Sequence, residues 1–246
     1  MSLRVEIADG VRSVPADAWD ALVGDNDPFA EHAFLAALEE SGSVGPGTGW
    51  QPVPLLVWSG EDDGERVLVG ALPLYLKQHS WGEYTFDFAW ANAAHRIGIE
   101  YYPKLVSMAP MTPATGRRLL FRPGVDKKSI THAMVAGMLE VCDRADASSI
   151  HLLYLTLEER DLLVETGAFL PRLNLQFHYT RQDETRFDDL LARFRSSARK
   201  KVRRERRVVA ETNLRIETKA ADALTESDWE ALYGFYRDTC MRKGSE

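Results

Sequence analysis

The sequence has few cysteines and no long apolar run, and both scarcities narrow its class. Only two cysteines occur, Cys142 and Cys240, almost a hundred residues apart. That count excludes a disulfide framework and points to a reducing compartment, with the cytoplasm as the default. No apolar run approaches the roughly 18 residues that a membrane span requires. The opening Met-Ser-Leu-Arg-Val-Glu-Ile lacks the basic-then-apolar layout of a signal peptide. H-E-x-x-H, C-x-x-C, G-x-S-x-G, a Walker A loop and G-x-G-x-x-G are all missing. The six histidines (His32, His79, His95, His132, His151 and His178) are scattered, so no metal site is expected.

What is present is an ordinary globular composition, 45% hydrophobic and 27% charged over 246 residues. Such a length holds one large domain or two modest ones. The charge is uneven. Between Arg193 and Arg207 stand nine basic residues and one acid, Glu205, so this segment carries +8 against the chain's −7, leaving −15 elsewhere. An acidic protein with one concentrated basic stripe uses that stripe locally, for a polyanion or for pairing with acidic neighbours.

The chain also restarts near its end. Leu3-Arg-Val-Glu-Ile7 is followed by Trp19-Asp-Ala-Leu22, and Leu214-Arg-Ile-Glu-Thr218 is followed by Trp229-Glu-Ala-Leu232. Each copy is an alternating strand followed by an apolar pair at helical spacing. The period is far too long for a solenoid, which leaves a duplicated domain or coincidence among common residues. On the first reading, residues 1–180 form a complete domain, and residues 181–246 hold a basic helix and the truncated opening of a second.

Between these ends, periodicity predicts helices over 15–23 (Ser13 capping), 30–40 and 126–144. Strands are predicted over 53–58, 67–77, 84–89, 150–155 and 173–179, with a short apolar segment at 104–108. Glu61–Gly64 reads as an acidic turn and Gly42–Gly49 as a loop. Thr156-x-x-Glu159 matches a capping box opening a helix that ends near Gly167. A long helix begins at Phe187, with a break marked by Ser196-Ser197. This order gives the α/β (α+β) class, a mixed sheet flanked by helices.

The densest unusual stretch is 79–120, HSWGEYTFDFAWANAAHRIGIEYYPKLVSMAPMTPATGRRLL. Aromatics interleaved with Glu83, Asp87, Lys104, Arg117 and Arg118 suit a pocket lining, and equally an aromatic core with a solvated rim. The turn Thr112–Arg117 could hold an anion on its backbone N–H groups.

This stretch is similar to a bacterial family related to the Fem-type peptidoglycan aminoacyltransferases, which belong to the Gcn5-related N-acetyltransferase (GNAT) superfamily. Further matching strings are Pro28-Phe29, Phe34–Glu39, Val69–Lys77, Gln176–Tyr179 and the run SSARKKVRRERR. The resemblance implies a GNAT-like domain followed by the start of another, and acyl or aminoacyl transfer to an amine of a peptidoglycan precursor. It implies aminoacyl-tRNA as donor ahead of acyl-CoA, because the acetyltransferase loop R-x-x-G-x-G/A is absent. No cofactor is fixed by the sequence.

Such chemistry requires positioning, a proton acceptor and donors for a developing oxyanion. Candidates for substrate contact are Tyr101, Tyr102, Lys104, Thr115 and Arg117, with Glu83 or Asp87 as base. Arg199, Lys200, Lys201, Arg203 and Arg204 would hold a polyanionic donor such as tRNA. Two other classes stay open: a nucleic-acid-binding module and a non-catalytic scaffold, either resting on the basic helix at 193–207.

Overall fold

Alternation along Leu55–Ser59 sends Leu55 and Val57 to one face and Leu56 to the other, and all three are buried. A strand apolar on both faces needs helices on both sides. The computed structural model, which describes residues 2–25, 27–60 and 66–243, supplies them. The chain divides into two compact units, Met1–Leu175 and Gln176–Glu246.

In the first unit, β1 (Leu3–Ile7), β3 (Leu55–Ser59), β4 (Val67–Leu72) and β7 (Leu120–Phe121) form an antiparallel sheet in the order β1-β3-β4-β7. One face receives α1 (Ala16–Val23) and α2 (His32–Glu40), which bury Trp19, Leu22 and Leu35 against Leu56, Leu68 and Leu120. The other receives α4 (Lys127–Arg144), whose Ile130, Met134 and Met138 meet Leu55, Val57 and Leu72. The approach is close. A Cβ on Gly70 would lie 2.6 Å from Ile130, and one on Gly137 would lie 2.7 Å from Leu55 and Val5. Glycine at both positions lets helix and sheet meet.

A second sheet, order β2-β5-β6-β8, joins β2 (Trp50–Pro52), β5 (Tyr75–Lys77), β6 (Lys104–Ser107) and β8 (Ile150–Leu152). Its pairs are antiparallel except β6 with β8, which is parallel. The parallel pair is linked through β7 and α4, as a crossover requires. After β8, Thr156 caps α5 (Leu157–Glu165) with the capping box expected of Thr156 and Glu159. The class is the expected mixed α/β one, consistent with a GNAT-like α+β fold, and its strands sort into two sheets.

Several expected elements differ. The strand anticipated over 67–77 breaks at Pro73, which has no N–H to give a ladder, so β4 and β5 serve different sheets. The strand expected over 84–89 does not form. Glu83 and Asp87 are drawn inward, and helix α3 (Phe88–Arg96) starts instead. Ser13 does not cap α1; its hydroxyl donates to Gly10 O, and Pro15 takes the cap position. Residues 173–179 and 214–218 form no ladder among the described residues, and Leu173, Phe177, Leu214 and Ile216 stand exposed. Extended chain without a neighbour to pair with cannot become a strand. The acidic turn at 61–64 lies outside the described residues.

The second unit contains α6 (Phe187–Ala192), α7 (Ser196–Ala210) and α8 (Glu226–Arg242). The long helix expected from Phe187 is thus interrupted at Arg193–Arg195, beside the anticipated serines. Thr225 and Asp228 close a capping box on α8, the helix of the restarted segment. No helix among the described residues is long and apolar enough to cross a membrane.

Candidate functional site

Register builds the site. Lys77 and Lys104 are paired residues on the antiparallel strands β5 and β6, so both project to the same face of the second sheet. Both side chains are fully buried. Two buried ammonium groups side by side are costly without counter-charge. The segment that connects the two strands, residues 78–103, folds back as a roof over this face and supplies it.

Lys104 Nζ donates to Glu83 Oε2 at 2.9 Å, to Asp87 Oδ2 at 2.6 Å and to Ser80 Oγ at 3.0 Å. An ammonium has three protons, so this lysine is saturated. Asp87 is saturated as well, because Oδ1 accepts from Ser80 and Oδ2 also accepts from the Tyr101 hydroxyl at 2.6 Å. Since Ser80 gives its single proton to Asp87, Tyr102 must be the donor in the 2.7 Å contact between their hydroxyls. Burial pushes the Asp87 carboxyl up, but the hydrogen bonds from Lys104, Ser80 and Tyr101 outweigh it and hold the group below the usual carboxylate range.

Glu83 differs. Its Oε1 is buried without a hydrogen-bond partner among the described residues. Burial raises its pKa against the pull of Lys104, so this carboxyl takes a proton more readily than an ordinary glutamate. Its backbone is fixed by the Tyr154 hydroxyl, which donates to Glu83 O at 3.0 Å.

Lys77 is the group that sequence reasoning missed. Its Nζ sits 3.4 Å from the centroid of the Trp50 ring and donates to Trp81 O at 3.0 Å. Burial, together with the nearby Lys104 charge, lowers its pKa to about 7, with the carboxylates opposing. A contact of 3.4 Å links it to His79 Nδ1, and His79 Nε2 lies 3.0 Å from Thr48 O. A carbonyl only accepts, so Nε2 carries the proton and Nδ1 receives from Lys77. His79 also lines an open cavity of about 480 Å³, walled by Gly45, Gly47, Thr48, Gly49, Gln51, Leu76 and Gln78. One signal for Lys77 lay in the sequence: it follows Tyr75 with period two in an apolar strand, a position that faces a core.

Five of the seven residues proposed for substrate contact and catalysis therefore meet: Glu83, Asp87, Tyr101, Tyr102 and Lys104. Arg117 does not join them; its backbone N–H donates to Asp27 at 2.7 Å and its guanidinium to Asp25 O at 3.3 Å. Thr115 is exposed on the same turn. The neighbouring Arg118 is buried and structural, donating to Ala114 O and Leu153 O, while Glu159 Oε1 accepts from the Arg118 and Leu119 backbone N–H groups. Among the described residues no group of three or more His, Cys, Asp and Glu could hold a metal ion.

In the second unit, Lys200, Lys201, Arg203 and Arg204 are exposed along α7, with Arg199 half-buried. Arg199 donates to Ala192 O at 3.3 Å, Lys201 approaches Glu205 at 3.9 Å and Arg203 approaches Asp188 at 3.8 Å. These long, exposed ion pairs are worth little and leave the stripe available to a polyanion.

A family model described as peptidoglycan biosynthesis/recognition, FemAB-like, matches residues 10–246. No curated protein and no solved structure matches the chain.

Proposed function

The chain belongs to the FemAB-like family, and from that premise we propose that it moves an acyl or aminoacyl group onto an amine of a peptidoglycan precursor. The observation that carries this reading is the unpartnered Glu83 Oε1 in the buried lysine–carboxylate cluster. A neutral amine attacks the activated ester carbonyl, forming the C–N bond. Glu83 Oε1 takes the amine proton and returns it to the leaving oxygen as the C–O bond breaks. Asp87, with both oxygens engaged, holds Lys104 and Tyr101 in place rather than serving as base. Tyr101 and Tyr102, in the same cluster, orient the acceptor, and Lys104, saturated by Ser80, Glu83 and Asp87, fixes the base. Thr115 and Arg117 would touch substrate only beyond this cluster.

The donor is a polyanion held by Arg199, Lys200, Lys201, Arg203 and Arg204, with aminoacyl-tRNA favoured over acyl-CoA. The second unit is read as related to the first by duplication, supported by α8 and its repeated Trp-x-Ala-Leu. The test is transfer from aminoacyl-tRNA or acyl-CoA to a peptidoglycan-precursor amine. Glu83→Gln should lower turnover by about a hundredfold or more with the fold retained. Full activity in Glu83→Gln would sink the assignment.

The exposure of α7 favours a second reading, nucleic-acid binding without chemistry. On that reading charged and deacylated tRNA bind equally, and both weaken steeply with salt.

A further inference from the structure

The roof has an outer side that the transfer chemistry does not use. Between Trp81 and Ile99 seven large apolar side chains are exposed: Trp81 (60%), Tyr84 (53%), Phe86 (52%), Phe88 (37%), Trp90 (60%), Ile97 (72%) and Ile99 (56%). Helix α3 has no buried residue. The rings nevertheless hold one another, with Phe86 stacked on Phe88 at 5.3 Å and Trp81 at 5.5 Å from Phe88. Trp81, Tyr84, Phe86 and Phe88 thus form one exposed ring cluster, and a cluster of this kind marks an interaction surface rather than scattered exposure.

Its charge identifies the partner. The two acids of the segment, Glu83 and Asp87, are turned inward onto Lys104 and are buried. The outward charged groups are Arg96 in the last turn of α3, Arg172 with its guanidinium 5.6 Å over the Trp90 ring, and one acid, Glu100, beyond the helix. In a chain of net charge −7, the patch is apolar with a cationic margin. Trp and Tyr rings with an apolar body and a polar edge settle at the headgroup level of a bilayer, and arginine beside them meets lipid phosphate.

We propose that the outer side of the 81–99 roof docks on an anionic bilayer surface, its aromatic side chains entering the interface and Arg96 and Arg172 meeting the lipid phosphates. This places the protein on the membrane without spanning it. The exposed basic helix α7 could also attract anionic lipid, so the test separates the two.

The full chain is floated with vesicles of phosphatidylcholine alone and of phosphatidylcholine mixed with phosphatidylglycerol, while tryptophan emission is recorded. Wild type should float with the mixed vesicles and shift its emission to the blue. Combined Trp81→Ser, Phe86→Ser and Trp90→Ser should lower partitioning by about tenfold or more, as expected when several rings lose burial. A second variant, Ile97→Ser with Ile99→Ser, should reduce it as well; both sites are exposed, so the fold should tolerate the change. Lys200→Glu with Lys201→Glu should leave the blue shift in place. No flotation of wild type would overturn the proposal and leave a protein partner for the patch. Binding lost in the α7 variant but kept in both roof variants would overturn it too.

Discussion

Replacing Lys104 by methionine should destabilise the first unit far more than its lost contacts suggest. At an effective dielectric of about 20, charges 2.6 and 2.9 Å apart attract by roughly 6 kcal/mol each before desolvation is subtracted. Most of that gain offsets the removal of three ions from water. Methionine keeps the apolar stem and the volume but leaves Glu83 and Asp87 buried, close together and without the cation that bonds them both. Breaking a buried pair in this way costs about 3–5 kcal/mol. The same change made with Glu83→Gln and Asp87→Asn should recover much of the loss, because no unpaired charge is then left behind. Urea unfolding followed by far-ultraviolet circular dichroism measures both variants. A cost below about 1 kcal/mol for Lys104→Met, or a triple variant no more stable than the single one, would refute the reasoning.

Lys77 should give stability a distinct pH dependence. The unfolded chain keeps this proton to about pH 10.5, whereas the folded chain releases it near 7. The unfolded state therefore binds more protons between these values, and stability should rise with pH across that window by up to about 1.4 kcal/mol per unit. Lys77→Met should flatten the rise in melting temperature measured from pH 7 to 10; an unchanged slope would contradict the assignment. Gly49→Ala should cost about 1–3 kcal/mol in chemical denaturation. Its φ is +73°, and a Cβ would lie 2.3 Å from His79 Nε2, so a neutral effect would mean the loop yields freely. Glu159→Gln should cost about 2 kcal/mol or more by thermal melting, because a charged acceptor serves the Arg118 and Leu119 N–H groups and the Thr156 cap together.

The capping box at Thr156 was legible because its signal is local: a hydroxyl and a carboxylate three residues apart satisfy each other's backbone. The helix at 127–144 was legible for a similar reason, since its apolar spacing is its buried face. The strand expected over 84–89 failed because alternation there has a different origin. Its aromatics face outward from a loop whose acids are tied to a lysine seventeen to twenty-one positions away, and period two cannot report a partner that distant. Leu173–Tyr179 shows the limit from the other side: it has the strand pattern, but a ladder also needs a neighbouring strand. Within the site, residue types in an unusual stretch brought Glu83, Asp87, Tyr101, Tyr102 and Lys104 forward together. The pairing of Lys77 with Lys104 depends on the register of two separate strands, which no local pattern encodes.

The strands β5 and β6 are antiparallel neighbours that a tight hairpin turn could have joined, yet residues 78–103 intervene. That excess length makes the connection a modular cassette. Its outer sequence can drift, lengthen or be exchanged while Ser80, Glu83, Asp87 and Tyr101 keep it latched, and the sheet beneath is indifferent to the substitution. A lineage could thus alter the exposed face of this connection without rebuilding the lysine–carboxylate cluster beneath it.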